Sequence, residues 1–119
     1  VEHRISDVGV IDKAMVVLDA VERQPLALAA LVEATGFSRA TAHRLAVALE
    51  AHGLLRRDAD GRFTPGARLI GLGRAAERSF PLGEAALPAL RDLRDDTGES
   101  VQLYVREGDE RVCVASLES

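Results

Sequence analysis

Residues 35–54 read T-G-F-S-R-A-T-A-H-R-L-A-V-A-L-E-A-H-G-L, and this stretch decides the fold. Gly36 sits where a helix commonly ends, because only glycine enters the left-handed region without a Cβ penalty. Ser38 follows as a helix N-cap whose side-chain oxygen can satisfy a free N–H of the first turn. The spacing predicts a helix from Ser38 to about His52, stopped by Gly53. At 100° per residue its inward stripe is Ala42, Leu45, Ala46 and Leu49. The opposite face centres on Ala40, His43, Arg44 and Val47, flanked by Arg39 and Thr41.

Two helices precede it. Over residues 10–23 the apolar residues Ile11, Ala14, Met15, Leu18 and Val21 recur at helical spacing, and Gln24-Pro25 ends the run. A short helix fits residues 28–35, with Leu28, Leu31 and Val32 inward. After Gly53, residues 54–65 read L-L-R-R-D-A-D-G-R-F-T-P, two short extended runs about Asp60-Gly61, the chemistry of a tight hairpin turn. A fourth helix is expected over residues 67–80, with Leu69, Leu72, Gly73, Ala76 and Phe80 on one side. A fifth is expected over residues 82–97, with Ala86, Leu90 and Leu93 inward. Pro88 should mark its start or a kink, and Gly98 its end. A second hairpin follows, residues 101–106 and 111–117 about Glu107-Gly108-Asp109.

The expected class is therefore mainly α with small β-hairpins. It comprises a winged helix-turn-helix over residues 8–66, a further helix over 67–81 and the unfinished start of a second domain over 82–119. The chain has 119 residues and is 47% hydrophobic, enough to fill a core rather than form a disordered tail. No apolar run approaches membrane-spanning length, so no membrane partner is expected. The opening V-E-H-R-I-S-D lacks the basic patch and apolar stretch of a signal peptide. The single cysteine, Cys113, excludes a disulfide framework and points to a reducing, cytoplasmic setting. Aromatics at 3% argue against a stacking platform for single strands.

A net charge of −4 looks unpromising for a nucleic-acid partner until it is divided along the chain. Residues 1–35 carry three basic and six acidic side chains, and residues 79–119 carry four and nine. Residues 36–78 hold eight arginines against four acids. The positive charge coincides with the capped helix and its hairpin. An α-helix fits the major groove of double-stranded DNA, and its first turns reach base edges. Those turns carry Arg39, Thr41, His43 and Arg44. Arginine offers a planar fork to guanine O6 and N7, while Ala40 and Val47 suit thymine methyl groups. Ser38 and Thr41 hydroxyls, with the free N–H groups of the helix start, suit a phosphate. Arg56, Arg57 and Arg62 on the hairpin are placed for the backbone or the minor groove. The competing reading is a winged helix used only as a protein-interaction module, which acidic residues on the third helix would favour.

The residues also match a family. The run Thr35 to Leu45, Leu49 with Ala51-His52-Gly53-Leu54, Arg62-Phe63, and Pro65-Gly66-Ala67-Arg68-Leu69 stand in order. Leu90-Arg91-Asp92-Leu93, Thr97-Gly98-Glu99-Ser100 and Arg111-Val112-Cys113-Val114-Ala115 continue it. The chain resembles the IclR-type (isocitrate lyase regulator) transcription factors over nearly its whole length. Among them it looks most like an actinobacterial branch linked to amino-acid biosynthesis. The resemblance implies a homodimer or dimer of dimers on a pseudo-palindromic operator, with Thr41, His43 and Arg44 on the recognition helix and Arg62 on the wing. It also implies that residues 67–81 are a linker helix and residues 82–119 the incomplete start of an α/β effector domain, with a small-molecule effector bound mostly beyond Ser119. The alanine-rich third helix departs from the family and leaves few side chains for base readout.

Other signals have plainer readings. Gly71-Leu72-Gly73-Arg74-Ala75-Ala76 fits a dinucleotide fingerprint in letters, but no strand precedes it. Close helix packing across a dimer is the better use, with Leu69, Leu72, Ala76 and Phe80 as the interface. His3, His43 and His52 form no ligand set, so no metal or other cofactor is expected. Asp92, Asp95, Asp96 and Glu99 read as a solvated helix face, and Cys113 as a strand residue packed in a core. No serine, histidine and acid arrangement suggests catalysis.

Overall fold

The computed structural model describes residues Ile5–Ser119. Five helices and two separate hairpins follow one another: α1 (Gly9–Glu22), α2 (Leu28–Thr35), α3 (Arg39–Ala51), β1 (Leu55–Arg57), β2 (Phe63–Pro65), α4 (Arg68–Arg78), α5 (Pro81–Thr97), β3 (Val101–Glu107) and β4 (Glu110–Leu117). They form two compact units, one ending at Gly71 and one spanning Leu72–Ser119, so the division falls inside α4.

The core of the first unit gathers Val17, Val21, Leu26, Leu31, Ala42, Leu45, Ala46, Leu49, Leu55 and Phe63. All four expected α3 positions are in it. Ala42 and Ala46 are fully buried, and their small side chains let α3 lie close to its neighbours. The reading of α1 needs correction. Val17 and Val21 are its buried residues, with Ala14, Leu18 and Ala20 packed beside them, whereas Ile11 and Met15 are exposed. Residues 14, 17, 18 and 21 make the true helical stripe. Apolar residues on more than one face of α1 made the choice of stripe ambiguous. Asp12 steadies the start of this helix, accepting from both the backbone N–H and the hydroxyl of Ser6.

The first hairpin is antiparallel, with Leu55 opposite Pro65 and Arg57 opposite Phe63. Leu26 adds an isolated bridge to Phe63, donating and accepting at 3.0 and 2.8 Å. The connection holds the turn expected about Asp60-Gly61, with Gly61 N–H donating to the Asp58 carbonyl at 3.0 Å. It is a five-residue loop over 58–62, closed by Asp58 N–H donating to the Arg62 carbonyl at 2.9 Å. Gly61, at φ +78°, makes the reversal inside it.

Where the hairpin leaves, the chain crosses the exit of α3. Gly66 N–H donates to the Leu54 carbonyl and Arg68 N–H to the Gly53 carbonyl. A Cβ on Gly66 would collide with the Gly53 carbonyl, so only glycine fits.

In the second unit α5 packs on the β3–β4 hairpin through Gly83, Ala86, Leu87 and Leu90. Leu93, expected inward, is 52% exposed, because the stripe that meets the hairpin begins at Gly83. A Cβ at Gly83 would stand 2.8 Å from the Val114 carbonyl oxygen, so glycine sets this close approach. The helix starts at Pro81, where no N–H is needed, and continues through the exposed Pro88. Gly98, at φ +71°, caps its end as expected.

Between Leu103 and Tyr104 the hairpin register shifts: Leu103 pairs with Ala115 and Tyr104 with Cys113, leaving Val114 as a bulge. Val112, Ala115 and Leu117 thereby share the half-buried face of Val101, Leu103 and Val105. Cys113 falls on the other side beside Tyr104 and is exposed, contrary to the core position expected for it.

Candidate nucleic-acid interface

The turn into α3 is built by local hydrogen bonds. Gly36, at φ +74°, ends α2 and donates to the Val32 carbonyl, while Phe37 N–H donates to the Thr35 hydroxyl. Ser38 Oγ accepts from Thr41 N–H at 3.2 Å, the cap expected from the sequence. The remaining amides of the first turn have no helical partner and carry the positive end of the helix dipole.

Burial of Ala42, Leu45, Ala46 and Leu49 turns the other face of α3 to solvent. Ser38, Arg39, Ala40, His43, Arg44 and Val47 are exposed, and Thr41 is half-buried. Among the described residues, no ion pair engages Arg39, His43 or Arg44. Their donors are free for an anionic or base-edge acceptor. Leu28 joins Arg39, Ala40 and His43 around a shallow, mostly apolar depression. Leu28 was assigned only to the core side of α2, and its place at this depression depends on how α2 meets α3.

The wing arginines differ from one another. Arg57 Nε lies 3.2 Å from Glu50 Oε2, and its guanidinium sits 4.6 Å from the centre of the Phe63 ring. It ties the end of α3 to the hairpin while keeping part of its charge exposed. Arg62 pairs with two carboxylates, Nε to Asp58 Oδ2 at 3.0 Å and Nη2 to Asp60 Oδ2 at 3.2 Å. Arg56, on the other face of β1 from Leu55, is exposed and has no partner among the described residues. The backbone N–H of Arg62, donating to Asp58, is the main cause that holds this carboxyl below its ordinary pKa; the N–H of Asp60 and the Arg62 side chain add to it. The sequence puts three arginines on the wing, and the fold pairs Arg57 and Arg62 while leaving Arg56 without a partner among the described residues.

Leu69, Leu72, Ala76 and Phe80 lie along α4 and the turn after it, and α4 buries none of its residues. Leu72 is 46% exposed. Among the described residues no three His, Cys, Asp or Glu side chains gather as a metal site, and His3 lies outside those residues. Among the described residues no helix is long and apolar enough to cross a membrane.

Residues 10–59 match the model of the IclR helix-turn-helix domain. The chain carries an IclR helix-turn-helix domain. That match spans α1 to β1 and the first residues of the wing loop, so the α3 face described above belongs to the domain itself. The HTH-type transcriptional regulator KipR of Bacillus subtilis is 32% identical over 107 residues, covering 89% of this chain and 43% of KipR. The IclR of Thermotoga maritima is similar in structure, with a TM-score of 0.68 at 30% identity, over 92% of this chain and 45% of that one. An IclR homolog of Microbacterium hydrocarbonoxydans, solved in complex with 4-hydroxybenzoate, gives a TM-score of 0.77 at 25% identity, over 92% of this chain and 46% of its own. This chain thus spans less than half the length of these proteins. The likenesses extend past the IclR domain into the second unit.

Proposed function

We propose that the protein is a transcription regulator that binds a pseudo-palindromic operator as a dimer, with α3 in the major groove and the wing on the flanking backbone. The observation that carries this reading is the exposed, unpaired Arg39, His43 and Arg44 on the first turns of a capped helix within an IclR domain. Ser38 and Thr41 serve a phosphate, Ala40 a thymine methyl group, and Arg57 and Arg62 the flanking backbone or minor groove. Leu69, Leu72, Ala76 and Phe80 pair with a second copy, as homodimer or dimer of dimers. The protein works in the cytoplasm and needs no cofactor. It controls metabolic genes, including those of amino-acid biosynthesis, in response to a small metabolite. The Microbacterium homolog with 4-hydroxybenzoate supports an effector of that size.

Two arginines should separate base reading from backbone holding. Arg44→Ala should cost about 1–3 kcal/mol on the preferred duplex and relax preference at one position per half-site. Arg62→Ala should weaken all sequences alike and flatten the dependence on salt. Affinities across a panel of operator variants test this, and equal patterns for the two substitutions would overturn the assignment.

A further inference from the structure

The wing loop holds Arg62 between two carboxylates of different kinds. Asp58 Oδ1 accepts from the backbone N–H groups of Asp60 and Arg62, at 3.0 and 2.9 Å, and Oδ2 takes Arg62 Nε. Its side chain is 19% exposed, and its bonds give the loop its shape. The Asp60 side chain is 75% exposed, and among the described residues its carboxylate bonds only to Arg62 Nη2. One acid builds the loop; the other only neutralises the arginine.

We propose that Asp60 masks Arg62 against DNA: its carboxylate competes with a phosphate for the same guanidinium edge, while Asp58 is a positioning residue that keeps the arginine in place through the exchange. This rests on the reading of the wing as a DNA contact. A carboxylate and a phosphate both favour the planar fork of arginine, and side by side they repel. A phosphate that takes Nη2 must therefore displace Asp60, whatever the sequence. The wing then holds DNA in general less strongly than an unpaired arginine would, and α3 decides where the protein stays. Nothing comparable restrains Arg39 or Arg44, which have no acid partner among the described residues.

The test uses the 119-residue chain and a fluorescent duplex of about 30 base pairs of random sequence, titrated across a salt series. Asp60→Asn should bind about 2–5-fold tighter at low salt. Its salt slope should steepen by up to about one. Both gains should vanish in the Arg62→Ala background, since they act through that side chain. Asp60→Glu keeps the charge and should restore parental binding. No gain from Asp60→Asn, or a gain that persists without Arg62, would overturn the masking role. A parent chain with no affinity for any duplex would instead overturn the proposed function, and the masking with it.

Discussion

Gly66→Ala should unfold the first unit at denaturant concentrations where the parent remains native. The alanine Cβ would enter the space of the Gly53 carbonyl, standing 2.8 Å from its carbon and 2.9 Å from the carbonyl carbon of Leu54. Both are main-chain atoms, so no rotamer change relieves the clash. Moving the backbone breaks the bonds from Gly66 N–H to Leu54 and from Arg68 N–H to Gly53, which join the exit of α3 to the exit of the wing. The hairpin is anchored by Leu55 and Phe63, at 1% and 2% exposure, and cannot shift without opening the core. Overpacking alone costs about 1–3 kcal/mol, and the lost hydrogen bonds add to it. A total of about 3 kcal/mol or more is expected, against a net stability of roughly 5–15 kcal/mol for a small domain. Urea unfolding followed by circular dichroism measures it. Gly71→Ala is the control: nothing lies within 4 Å of a Cβ there, and the substitution removes a glycine from a helix interior. It should stabilise α4 by about 0.5–1 kcal/mol. A parental midpoint for Gly66→Ala would contradict the chain crossing.

Leu72→Asp should yield monomers and lower operator affinity by about 100-fold or more. Leu72 lies on a helix that buries none of its residues, so the substitution leaves the described core intact. It places a charge in the apolar stripe assigned to the second copy, where no partner can satisfy it. Two linked readers bind a two-part site far more tightly than one, because the second contact becomes intramolecular. Loss of the dimer removes that gain without touching α3. Sedimentation gives the mass and anisotropy the affinity. A dimer that survives the substitution would move the interface elsewhere.

The helix-turn-helix was legible because its signals were local and agreed. Gly36, the Ser38 cap, the four-residue stripe of α3 and Gly53 each demand the same boundaries. On α1 the apolar residues occupy more than one face, and only contact with α2, α3 and β2 selects Val17 over Ile11. The Leu26–Phe63 bridge joins residues far apart in the chain, with nothing around Leu26 to announce a strand. At the wing, Asp60-Gly61 marked the turn, but the bonds that shape the rest of the loop run from main-chain amides to the Asp58 carboxylate, which no turn signal announces. Cys113 stands between Val112 and Val114 in an apolar run, which suggests a core position, but the bulge at Val114 sets it beside the exposed Tyr104. For the candidate site, exposure of Arg39, His43 and Arg44 followed from the buried stripe opposite them. The pairing of Arg57 with Glu50 and of Arg62 with Asp58 and Asp60 is tertiary or loop geometry, which spacing does not encode.

On the proposed function, the exposed face of α3 reads DNA sequence. Selection of duplexes from a random pool by the protein tests it most directly, with an Arg39→Glu, Arg44→Glu variant carried in parallel. The parent should enrich two inverted half-sites whose centres lie about one helical turn, or a multiple of it, apart. The variant should enrich nothing. A parent pool that stays random, or the same motif enriched by both proteins, would contradict the account.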